Sequence, residues 1–106
     1  MNETICERIN PRIIIMMLHD KTWETLCKLD KTKYSPVQES HYNWNITLYK
    51  IYPCRGLIFK KTHIKVAVFY PDTSDVWVFK KDSYDFIKKL GKELGYGTIT
   101  KNWREE

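Results

Sequence analysis

The chain is poor in the residues that would announce a familiar chemistry. Three cysteines, Cys6, Cys27 and Cys54, are odd in number and widely separated, with no Cys-x-x-Cys pair. That excludes a disulfide framework and the short ligand spacing of a structural zinc site. With only four Gly and four Pro among 106 residues, a collagen-like repeat, a flexible linker and a low-complexity tract are excluded too. The longest apolar run, Ile13 to Leu18, is six residues, against the roughly 20 needed to span a bilayer. No small-residue cleavage site follows it, so the reading is a cytoplasmic protein without a membrane partner. Reduced, largely buried cysteines fit that compartment. Neither a phosphate loop nor a Gly-x-Ser-x-Gly elbow occurs, and no Glu precedes a Lys by two positions as in one class of metal-dependent nuclease. His19, His41 and His63 are far apart in sequence, so no catalytic residue, metal ligand or cofactor is assigned.

What remains is a moderately basic chain, 18 Lys and Arg against 13 Asp and Glu, net +5, with 42% hydrophobic residues. Its length suits one domain with one core. Residues 1–11 read as an entry segment closed by Asn10-Pro11. The isoleucine run favours a strand over 12–18, followed by a helix from an Asp20 cap to Lys31 on which Trp23, Leu26 and Cys27 share a side. One continuous helix over 12–30 is the alternative. Residues 31–43, with Ser35-Pro36, lack periodicity and form the longest loop.

The organising stretch is 57–94. Ile64, Val66 and Val68 alternate along a strand, residues 71–74 turn, and Val76 to Phe79 returns. If 71–74 is the loop, Val66 opposes Phe79 and Val68 opposes Trp77, and these residues with Ile64 make the core face. A loop one residue longer sets Phe69 against Trp77 and Val68 against Val78. Residues 51–61 resemble 69–81: each has Tyr-Pro, a turn, then an apolar run closing in Phe-Lys-Lys. The pattern predicts a four-stranded antiparallel meander over 44–51, 57–61, 64–70 and 76–81, with 12–18 as an optional fifth strand. Thr62-His63 lacks the Gly or Asn of a tight hairpin turn, so 57–70 as one long bent strand is the other option. A helix capped by Asp82 or Ser83 follows. It carries Phe86, Ile87, Leu90 and Leu94 on one side, Lys88, Lys89 and Lys92 on the other, and Gly91 between them as a site of close packing. Gly95 and Gly97 end it. Thr98 to Thr100 add an edge strand, Trp103 folds back as a lid, and 104–106 fray. The fold class is α+β, with two helices on one face of the sheet.

In that meander Lys60, Lys61, Lys80 and Lys81 gather at one end of the sheet beside the last helix, whose lysines are Lys88, Lys89 and Lys92. Such a patch suits the phosphates of RNA or DNA. Phe69, Tyr70 and Trp77 would stack bases or anchor an interface if their face is open. The expected function is therefore a small non-catalytic nucleic-acid-binding or regulatory protein. The alternatives are an inhibitor or adaptor docking on a protein target through an aromatic surface, and a small metal-independent endoribonuclease.

Overall fold

A computed structural model describes residues 11–40, 43–53 and 61–103. Residues 1–10, 41–42, 54–60 and 104–106 lie outside the described residues, and with them Cys6, His41, Cys54, Lys60 and the turn and most of the strand expected over 54–61. The order is α1 (Pro11–Cys27), β1 (Tyr34–Val37), β2 (Ile46–Pro53), β3 (Lys61–Tyr70), β4 (Asp75–Val78), a 3-10 turn (Lys81–Ser83), α2 (Tyr84–Leu94) and β5 (Thr98–Lys101). The fold is α+β, with one five-stranded sheet in the order β1-β2-β3-β4-β5. It is mixed: β1 to β4 are antiparallel neighbours, whereas β5 runs parallel to β4. A parallel neighbour needs a crossover, and α2 supplies it.

Two expectations are corrected near the N-terminus. Residues 12–18 are helical, so α1 is the continuous helix and Asp20 lies inside it, not at its cap. Pro11 sits in the first helical position, where its fixed φ is preorganised and its missing N–H is no loss. Leu18, Thr22 and Leu26 recur at four-residue spacing on the face turned to the core, which three consecutive isoleucines do not outweigh. The loop expected over 31–43 contains β1, and Ile51 N–H donates to the Lys33 carbonyl at 2.7 Å as β1 begins. Strand alternation then turns Pro36, which has no N–H to offer, to the free edge of the sheet.

The pure antiparallel meander is also corrected. Thr62 and His63 make no turn; they pair with Tyr52 and Ile51 inside one long β3. Of the two β3–β4 registers, the structure has that of the 71–74 loop, with Val68 opposite Trp77 and Phe69 opposite Val76. Phe79 N–H donates to the Val66 carbonyl at 2.8 Å, continuing that ladder. The core face is nevertheless the other one. Leu48 pairs with Ala67 and Tyr49 with Lys65, so Val66 is an extra residue, a β-bulge. Val66 and Ala67 are both fully buried, and beyond the bulge the core parity changes from Ile64 and Val66 to Ala67 and Phe69. Phe69, Val76 and Val78 join Ile46, Leu48, Leu26, Ile87, Leu94 and Tyr96 in one cluster between the sheet and both helices. Val68 and Trp77 fall on the opposite side, where no described helix packs.

Helix α2 begins without a side-chain cap, correcting the expectation for Asp82 or Ser83. Neither hydroxyl nor carboxylate bonds a helix N–H, and the chain enters through the 3-10 turn. Its other end is as read. Gly95 takes φ 104°, and the Gly95 and Tyr96 N–H groups both reach the Gly91 carbonyl. Trp103 packs against the core from outside and meets Tyr84 edge-on.

Candidate functional site: the open face of the sheet

With both described helices on one side, the other face of β3 and β4 carries Val68, which is buried, and the partly exposed Tyr70, Trp77 and, just past β4, Phe79. Trp77 is 38% exposed. Its indole N–H donates to Asp75 Oδ2 at 2.7 Å, and Thr100 Oγ1 on β5 donates to Asp75 Oδ1 at 2.9 Å. One carboxylate therefore fixes the indole and ties β4 to β5. The Tyr70 ring lies 5.3 Å from the Trp77 ring at 57°. Two residues along β4 on the same side, Phe79 carries Lys65 Nζ at 4.7 Å from its centroid. Three rings thus follow one another across two strands, with an ammonium group at one end.

The charge of this face is graded. Desolvation raises the Tyr70 pKa, and the carboxylates of Asp75 and Asp72 raise it further, keeping the phenol neutral. Acid therefore surrounds the Tyr70–Trp77 pair, while Lys65 stands over Phe79 at the other end of the row. A polar hollow of about 400 Å3 adjoins Tyr70, walled by Asn43, Asn45, Thr47, Val68 and Lys65. Across it the Tyr49 hydroxyl donates to Glu39, which raises the Tyr49 pKa.

The residues singled out in the sequence are distributed unevenly. Phe69 is corrected: it is fully buried and meets Tyr96 edge-on in the core, so it can stack on no ligand. Tyr70 and Trp77 are neighbours on the open face. Lys80 follows Phe79, the residue at the level of Val66, and Lys81 begins the 3-10 turn; both are exposed. Lys61 starts β3, paired with Pro53, five positions before the Val66 level and roughly 16 Å along the strand. Lys60 of the expected four-lysine cluster lies outside the described residues, and Lys61 opens β3 itself rather than a strand beside it. Lys88, Lys89 and Lys92 belong to the helix layer behind the sheet. Lys88 stands over Tyr84 at 5.8 Å, Lys89 over a shallow cleft beside Phe86, and Lys92 near the Gly97 carbonyl at 3.5 Å.

Sequence reasoning missed Lys65 and Phe79 as partners on the open face, and Lys101, which contacts Tyr84 and Trp103 at 4.9 and 5.9 Å. Alternation along Lys65-Val66-Ala67-Val68 would have placed Lys65 correctly only with the bulge known. The described histidines stand apart: His19 is buried between Asp20 and Gln38, and His63 is exposed on β3. Among the described residues no group of three His, Cys, Asp or Glu could hold a metal ion. No described helix is long and apolar enough to cross a membrane. Comparison with protein-family models, with curated proteins and with solved structures gives no match.

Proposed function

We propose that the protein binds single-stranded nucleic acid across the open face of its sheet. The observation that carries this reading is the row Tyr70, Trp77 and Phe79 with Lys65 over its last ring, on a face that no described helix covers. Bases stack on such rings with little regard to sequence, while lysines take the backbone. The graded charge orients the strand. Phosphates are drawn to Lys65, Lys80 and Lys81, and bases lie over Tyr70 and Trp77, whose flanking carboxylates repel phosphate but accept bonds from base amino groups. The indole held by Asp75 is a preformed platform, so little ordering is required on binding.

The test is a salt titration with unstructured RNA and DNA oligonucleotides. Affinity should fall steeply with salt. Replacing Lys65 and Lys80 with Gln should flatten the log–log slope by about 0.7 for each phosphate no longer neutralised. Trp77→Ala should cost about 1–3 kcal/mol of binding with the slope unchanged. Replacing Lys28 and Lys33, which flank the far end of α1, should leave the slope near wild type. No affinity at low salt would reject the reading.

A second reading, docking on a protein partner, is favoured by a separate observation. Ile13, Ile14, Met16 and Met17 are exposed along the first turns of α1, Met17 by 65%. In that case the aromatic face and α1 should bind protein, and nucleic-acid affinity should be absent even at low salt.

A further inference from the structure

A cleft of about 340 Å3 lies between the end of α1 and the edge strand β1. Its walls are Trp23 and Leu26 from α1, Tyr34 and Pro36 from β1, and Ile51 from β2. Its size and apolar lining fall at the lower end of what small-molecule sites show. The cleft is built on rigid parts. Leu26 is fully buried, Tyr34 is stacked on Phe86 at 5.4 Å, and the loop joining α1 to β1 is held by Asp30. The Asp30 carboxylate accepts from Thr32 N–H at 2.9 Å and Thr32 Oγ1 at 2.6 Å, and its carbonyl accepts from Lys33 and Tyr34 N–H. Those bonds to the carboxylate lower the Asp30 pKa and fold its charge into its own turn.

Lys31 stands on that turn and is the one charged side chain among the described residues that line the cleft. Lys28 and Lys33 flank it in sequence, and both are exposed. The mouth is therefore positive and the walls apolar, apart from the Ser35 hydroxyl and the Cys27 thiol. We propose that this cleft binds an amphipathic carboxylate, an apolar body of about ten carbons with one anionic head that Lys31 receives. A neutral apolar molecule would forgo the ammonium group. A polyanion would find one cation and then apolar walls that cannot solvate the remaining charge. A cation would be repelled at the mouth.

The probes are decanoate and its neutral counterpart decanol, used with the full chain. Two readouts report from inside the cleft: the Trp23 indole resonance, and the alkylation rate of Cys27, localised by peptide mapping. Decanoate should shift the resonance and slow alkylation several-fold, saturably, with a dissociation constant on the order of 1 mM. Lys31→Glu, at an exposed position, should weaken decanoate about tenfold and leave decanol unaffected. No saturable change at either reporter with decanoate would overturn the proposal. Equal affinity for decanol and decanoate, or decanoate binding unchanged by Lys31→Glu, would overturn it as well, because the anionic head would then have no role.

Discussion

A Cβ on Gly91 would lie 2.8 Å from Ile99 Cδ1 and 3.3 Å from Val76 Cγ2, so helix α2 rests on the β4–β5 pair at backbone distance. The contact joins the crossover helix to both strands it connects, at the point where the sheet changes from antiparallel to parallel.

Gly91→Ala should therefore destabilise the fold despite the better helix propensity of alanine. Propensity favours the change by about 1 kcal/mol, while overpacking against Ile99 Cδ1 and the fully buried Val76 costs roughly 1–3 kcal/mol. A net loss of about 1 kcal/mol is expected in urea unfolding. Adding Ile99→Val, which removes the atom nearest the new methyl, should recover most of it. A stabilised single variant would show that α2 can lift off the sheet.

The bulge at Val66 makes two phenylalanines unequal. Phe69→Ala should cost about 3–5 kcal/mol, because Phe69 is fully buried. Phe79→Ala, half-buried on the open face, should cost about 1 kcal/mol. Chemical denaturation of the two variants compares them directly, and the reverse order would return the core to the even-numbered face of β3.

The entry to α2 should tolerate loss of its polar side chains. Asp82→Ala and Ser83→Ala are each expected to change stability by less than about 0.5 kcal/mol, since neither caps a helix N–H. A loss near 1 kcal/mol from either would reveal a cap.

Tyr96 supplies a signal at alkaline pH. Burial pushes its pKa up to about 12, with the Thr22 hydrogen bond pulling the other way. Between pH 10 and 12 the unfolded phenol loses its proton while the folded one keeps it, so the unfolded state is favoured by proton release. The stability linked to Tyr96 is complete below pH 10 and lost as pH rises through about 12. The difference between wild type and Tyr96→Phe should shrink by about 2–3 kcal/mol across that window. A constant difference would mean that the phenol is solvated in the folded state.

Much of the scaffold was legible in local pattern. The β3–β4 register is one of the two that the sequence allowed, that of the four-residue turn 71–74; apolar residues on both faces left the choice to the tertiary structure. The end of α2 at Gly95 and the close packing of Gly91 follow from the absence of a Cβ, which is a local property. Tyr70 and Trp77 could be nominated, with Phe69, only as aromatic residues.

Other features depended on residues distant in sequence. The run Ile13 to Leu18 has the composition of a strand, yet only Leu18, Thr22 and Leu26 meet the core, and that spacing belongs to a helix packed on a sheet formed later in the chain. Val66 is one more valine in an alternating run until β2 is aligned beside it; the extra residue then reverses which side chains face the helices. That reversal buried Phe69 and left Trp77 on the open face with Lys65 and Phe79. Composition supplied the aromatics and the lysines, since those are properties of the residues themselves. Which of them share a surface was decided by a single bulge, because strand alternation carries a one-residue offset to every side chain beyond it.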